Sequence, residues 1–412
     1  MKNPTTLIVL KNNNFLKLWG SQLLSQITYN MVNFTLILKI FETTGSTIAV
    51  SLLLVFSGIP AILLGPFTGV IIDSVSKKKA MMIANFFEGL IVFFYIFVGH
   101  NIWPIYSIVF LFALVNQFYI PAEAAMLPSI VGKKSLPIAN SIFMFTIYGA
   151  IATGFGMAGP LLNIFGNKFP FLFGTLCLFT GAVIISLLPE EQRGATNLSL
   201  RSSAFWNKFL EGFKFIRNQK LVLLPLLVFV GAQIAIISLA ILFPSYSANI
   251  LNTSLRNASF YLVFAAVAGA ISSALFIQRS ITTFRKKALI KTGLILSSFS
   301  LFGISSGVPL AQSNRLLFAC AFIFLAGFSF VLIAIPIQTL IQENTPVKLR
   351  GRVFGVLGFL ITLSNIAPAL LTATIADILG GKWVIFIFAA IALLAGLFLQ
   401  LGKYEINTDN RT

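Results

Sequence analysis

Histidine and cysteine are almost missing from this chain: His100 stands alone, and Cys177 and Cys320 sit far apart in apolar runs. One imidazole and two distant thiols supply neither a zinc set nor a Cys/His catalytic pair. They support no disulfide framework either, so both thiols read as small buried hydrophobes. His100, in "GHNIWP", reads as a solvated loop residue. No Walker-type glycine loop is present, which argues against ATP-driven pumping by this chain. The expectation is therefore not an enzyme, with no cofactor and no metal.

Charge is scarce as well. Only 10% of the 412 residues are charged while 57% are hydrophobic, against a soluble average of about 25% charged. That composition belongs to a membrane protein. With a span length of about 20 residues, twelve candidates emerge: 15–38, 48–72, 80–98, 103–127, 136–162 and 168–188, then 221–243, 258–278, 288–311, 315–341, 353–376 and 382–400. The runs are too long for the roughly 10-residue strands of a membrane barrel and show no period-2 alternation. The fold class expected is all-α integral membrane, and the first apolar run reads as a retained span rather than a signal peptide.

The net charge of +18 would suggest nucleic acid in a soluble chain. Here 24 of the 29 Lys and Arg residues fall on one set of alternate loops and five on the other. By the positive-inside rule this places both termini in the cytoplasm. It also accounts for the three consecutive lysines of "GVIIDSVSKKKAM" as topology determinants, with no nucleic-acid partner.

A polar stretch at 189–220 divides the chain into two six-helix bundles, 1–188 and 221–402, followed by a cytoplasmic tail, 403–412. Within it, "SAFWNKFLEGFKFIRNQK" spaces its aromatic and aliphatic residues as an amphipathic helix lying on the inner membrane surface would. The halves resemble each other: "KKKAM" at Lys77 and "RKKAL" at Arg285 lie 208 positions apart, Pro121 and Pro336 lie 215 apart. Pseudo-symmetric six-helix bundles with a substrate site near the midplane are the plan of many secondary transporters.

Polar residues inside spans mark such a site. Span one carries Gln22, Gln26, Tyr29, Asn30 and Asn33 on one helical face, span four carries Asn116 and Tyr119, and spans seven and ten carry Gln233 and Gln338. These are the expected substrate-cavity residues, the bland alternative being hydrogen bonds between neighbouring helices. Among the 11 acidic residues, Glu88 alone lies near mid-depth. It is the first candidate for proton coupling, and Glu123, nearer the cytoplasmic end, is the second. A packing carboxyl at Glu88, or a loop-cation pair at Glu123, is the structural alternative.

"FLKLWGSQLLSQI", "TTGSTIAVSLLLVFSGIPAILLGPFTGVIID", "IPAEAAMLPSIV", "EGFKFIRNQKLVL" and "LRGRVFGVLG" together resemble the major facilitator superfamily, and within it the bacterial branch of macrolide-efflux and enterobactin-export proteins. The resemblance implies a conformational latch on the loop between spans two and three, where Gly69 permits close approach and Asp73 faces the cytoplasmic start of span eleven. Arg350 and Arg352 stand at that helix start, and a carboxylate there is favoured by about 0.3 to 1 kcal/mol when exposed. "GAIATGFGMAGP" looks like the glycine motif associated with exporters; Gly154, Gly156, Gly159 and Pro160 would let span five bend and pack closely on span eight or eleven. The chain departs from the family where Ser74 replaces the arginine usual after the loop aspartate, and where Phe112 replaces the arginine frequent in span four.

The function implied is a proton-coupled exporter of amphipathic or hydrophobic small molecules such as drugs, macrolides or siderophore-like compounds, working by alternating access as a monomer in the bacterial inner membrane. Its partners would be membrane lipid, the small-molecule substrate and protons. A lysophospholipid or other lipid transporter, and a non-transporting sensor or scaffold, are the alternatives.

Overall fold

Side chains in hydrocarbon have no water to satisfy the backbone, so each long apolar run closes its own hydrogen bonds as a helix. The computed structural model describes residues 4–99, 101–190, 202–280, 285–306 and 312–401, and among these no strand occurs. His100 and the 403–412 tail lie outside the described residues, as does much of the polar linker.

Contacts divide the chain into two compact units, Met1–Thr44 with Leu52–Leu200, and Gly45–Ser51 with Arg201–Thr412. The first contains α1 (Pro4–Lys11), α2 (Asn13–Thr44), most of α3 (Thr47–Ser74), α4 (Lys77–Phe94), a 3₁₀ turn (Tyr95–Phe97), α5 (Trp103–Phe165) and α6 (Phe169–Ser186). The second contains α7 (Ser202–Asn218), α8 (Lys220–Asn249), α9 (Leu255–Ser280), α10 (Lys286–Ser306), α11 (Gln312–Glu343), α12 (Val347–Leu379) and α13 (Gly381–Leu401).

Among the described residues eleven segments are long and apolar enough to cross a membrane, against the twelve expected. The one missing from that set is α2, whose amides and charges dilute its apolar content along the stripe noted above. Two of the eleven, Trp103–Gly132 and Ile138–Phe165, are the limbs of α5. They are separated at Gly132, whose φ of 71° and ψ of 163° interrupt the helix; only glycine adopts that conformation without strain.

Each unit has its own core. Phe15, Leu18, Met81, Tyr119, Met126, Phe143 and Ile185 join α2, α4, α5 and α6 in the first. In the second, α7 joins the core through Ile216, beside Phe229, Ile337 and Val356. The amphipathic helix thus spends part of its apolar face on protein: Gly212 lies so close to α12 that a Cβ there would meet the Arg352 carbonyl oxygen at 2.9 Å. Leu210 and Phe213 remain exposed, so only part of that face is left for lipid.

Within the second unit, Asp377 near the end of α12 caps the start of α3. Its carboxylate accepts from Ser46 Oγ at 3.2 Å and from the Thr47 and Ile48 amides at 3.3 Å each. Helix starts carry orphan N–H groups that a carboxylate satisfies. Replacing Asp377 with Ala should therefore cost about 0.5–2 kcal/mol locally, read as faster hydrogen exchange at Thr47 and Ile48 with little change elsewhere.

The tightest crossing joins α9 and α11. A Cβ at Gly269 would fall 1.9 Å from the Phe324 carbonyl oxygen, and one at Gly327 would fall 2.0 Å from that of Ala266. Small residues let backbones approach this closely where lipid gives helices no hydrophobic reason to associate. Gly327→Val should cost at least the about 1–3 kcal/mol of an overpacked core, seen as a lower thermal midpoint or loss of monodisperse protein on gel filtration.

Candidate functional site

In the first unit, buried polar side chains from three helices form one connected chain. Ser25 Oγ on α2 donates to Asn85 Oδ1 on α4 at 3.1 Å, and Asn85 Nδ2 donates to Ser21 Oγ at 3.0 Å. Ser21 Oγ lies 3.4 Å from the Tyr119 hydroxyl on α5, which donates to Glu123 Oε1 at 3.3 Å. A phenol and a serine hydroxyl each carry a single proton. With Tyr119 donating to Glu123, Ser21 must donate to Tyr119, and every proton in the series points toward the Glu123 carboxylate. Gly181 of α6 seats the series from behind, since a Cβ there would meet Asn85 Nδ2 at 3.0 Å and Ser21 Oγ at 3.2 Å.

Glu88, one helical turn beyond Asn85, is only 1% exposed. Its Oε1 accepts from Asn116 Nδ2 at 2.9 Å, and among the described residues it forms no ion pair. The structure therefore brings Glu88, Asn116, Tyr119 and Glu123 into one neighbourhood, and adds Ser21, Ser25 and Asn85, which the sequence reading passed over. The signal was there: Ser21 and Ser25 are four apart on one helix, and Asn85 precedes Glu88 by three.

The span-one stripe divides. Gln22 is 1% exposed and its Oε1 has no hydrogen-bond partner among the described residues, leaving an acceptor inside the bundle. Asn30 and Asn33 donate back to the Gln26 and Tyr29 carbonyls of their own helix, at 2.8 and 2.9 Å. Tyr29 is 41% exposed and stacks on Phe112, ring centroids 6.0 Å apart. With Asn33, Ser57 and Tyr95 these rings border a pocket of about 20 Å³, room for about one water-sized group. Tyr29 and Phe112 thus make one side of this pocket an aromatic wall.

The remaining expected residues are more scattered. Gln233 on α8 is half-buried and Gln338 on α11 is exposed, while a buried side-chain link described in that unit is Ser238 with Thr372, 2.8 Å apart. In the span-five motif, Gly154 packs on α2, where a Cβ would meet Asn30 Cβ at 2.5 Å; Gly156 and Gly159 are buried and Pro160 half-buried. Arg352 forms an ion pair with Glu211 of α7. The side chains of Gly69, Asp73 and Arg350, the other members of the expected latch, lie outside the described residues.

Asn85→Ala would strip Ser21 and Ser25 of their shared partner. Interhelical hydrogen bonds in membrane bundles are worth about 0.6 kcal/mol on average and up to about 1.7. A destabilisation of about 1–2 kcal/mol is expected, visible as a lowered thermal midpoint of the purified protein, with Asn85→Gln no better tolerated because Gly181 leaves no room.

Comparison with known proteins agrees with this architecture. The Major Facilitator Superfamily model matches residues 18–369. The uncharacterized MFS-type transporter YfiS of Bacillus subtilis (strain 168) is 24% identical over 375 residues, spanning 89% of this chain and 88% of that one. Macrolide efflux protein A of Streptococcus pyogenes is 23% identical over 410 residues, 95% and 97% of the two chains. Among solved structures, the nucleoside transporter NupG superposes with a TM-score of 0.71 over 94% of this chain and 98% of its own, at 12% identity. Eleven apolar helical segments among the described residues, a buried polar network between helices and a family match over most of its length place this chain in the major facilitator superfamily, as a multi-pass membrane transporter.

Proposed function

We propose that the protein is a proton-coupled exporter of amphipathic or hydrophobic small molecules that works by alternating access. The observation that carries this reading is Glu88, a carboxyl buried in the membrane-spanning part of the first unit with an amide for its partner and no described counter-ion. Holding a bare charge in such surroundings is costly, and ionisable groups within spans mark ion pathways and proton relays. A carboxyl that holds a proton in one conformation and meets water in another is the minimal coupling device. Glu123, tied to Glu88's surroundings through Tyr119, is the second acid on the same path.

Substrate class is argued from the walls. Tyr29 stacked on Phe112 offers apolar and aromatic surface beside the amide of Asn33, which suits a molecule with a hydrophobic body and a few polar groups. The efflux activity of macrolide efflux protein A, named for that relative, is in keeping with such a substrate. The membrane is taken as the bacterial inner membrane with both termini cytoplasmic, on the strength of the lysine and arginine asymmetry.

The test is expression in efflux-deficient bacteria, wild type beside Glu88→Gln, against antibiotics and dyes. Wild type should raise the inhibitory concentration of at least one amphipathic compound several-fold. Glu88→Gln, inserted at equal level, should return it to background, and everted vesicles should show proton release on addition of that compound only with wild type. Full activity in Glu88→Gln would remove proton coupling through this residue; no resistance to any compound would remove drug export.

A further inference from the structure

Lys39, near the end of α2, donates from its ammonium to the Val98 carbonyl just past the 3₁₀ turn. Val98 is also one wall of a groove of about 420 Å³ between the end of α4 and the start of α5. Ile91, Phe94, Ile108 and Leu111 line its depth, while its polar lining, Asn101, belongs to the connection between those helices. At that same connection the Trp103 ring is 65% exposed and sits edge-to-face on Tyr106. A cation, an amide and an exposed indole thus gather at one end of an apolar groove. Indole rings mark the headgroup level of a bilayer, and lysine stems reach toward it.

Length supports the same assignment. The groove runs from Val98 back to Ile91 and from Pro104 on to Leu111, which is about 10 Å along each helix at 1.5 Å per residue. One leaflet of a bilayer is about 15 Å of hydrocarbon, half of about 30 Å. The groove therefore accommodates the upper two-thirds of one acyl chain hung from the headgroup level. Among the described residues no acidic side chain lines it, so nothing described there favours the ammonium of a zwitterionic headgroup. Glu42, one turn beyond Lys39, has an interaction of its own. The Lys39 ammonium has three protons, of which Val98 takes one.

We propose that this corner of the first unit is a phospholipid site: one acyl chain of an anionic phospholipid lies in the groove, and Lys39 holds its phosphate. The site is independent of the export reading, because it draws on none of Glu88, Tyr119 or the pocket beside Tyr29.

The test is native mass spectrometry of the full chain in mild detergent, with phosphatidylglycerol or phosphatidylcholine of identical chains added at equal concentration. Wild type should retain one phosphatidylglycerol several-fold more than phosphatidylcholine. Lys39→Gln should bind both equally, and Leu111→Trp, which fills the groove, should retain neither. Should Leu111→Trp not fold, phosphatidylglycerol brominated on its chains gives a second reading: it should quench tryptophan emission in wild type, and the quenched fraction should fall in Trp103→Phe. Equal retention of the two lipids by wild type, unchanged preference in Lys39→Gln, or quenching that Trp103→Phe leaves unaltered would each overturn the site.

Discussion

Hydrocarbon offers no hydrogen bonds, and the architecture follows from that constraint. Backbones satisfy themselves as helices, but side chains that are polar for function must find one another across helix boundaries. In the first unit they do so in a single series, from Ser25 through Asn85, Ser21 and Tyr119 to Glu123. Its first three bonds each join two different helices and the last, Tyr119 to Glu123, lies within α5, so the series sets the rotation and depth of α2, α4 and α5 together. A one-residue slip of any of them would leave buried groups unpaired.

Polar pairing acts only if backbones come close enough, and glycine supplies the closeness. Gly181 makes room for the Asn85 and Ser21 pair, Gly174 receives Thr28, and Gly154 receives Asn30. The second unit relies more on glycine and less on polar groups, with Gly269 and Gly327 letting α9 and α11 meet carbonyl to backbone. Its buried polar link, Ser238 to Thr372, is correspondingly spare. The two halves resemble each other in sequence, yet Glu88 and Glu123, the acids of the proposed coupling, both lie in the first.

Legibility in the sequence tracked period and composition. The spans were readable because a run of twenty apolar residues has few alternatives; 15–38 was read among them and is helical in α2, although its polar stripe dilutes the apolar run. The stripe itself was readable from offsets of three and four. Its division was not: Asn30 and Asn33 turn back to their own helix, Gln22 points into the bundle, and Tyr29 meets Phe112. Spacing gives the face of a helix, but it does not say which neighbour that face meets. The latch of Asp73 with Arg350 or Arg352 came from the resemblance rather than from spacing, and among the described residues Arg352 pairs with Glu211 of the linker helix.

Composition and the placement of lysine and arginine were enough to make this a helical membrane protein, and motif resemblance was enough to place it among major facilitators, because solvation energies act on residue types wherever they stand. Which carboxyl meets which amide, which glycine admits which helix, and where Lys39 comes to rest against Val98 were decided only by tertiary structure. Those pairings join residues tens to hundreds of positions apart, and only the packed bundle brings them within the 3 Å or so over which a hydrogen bond acts.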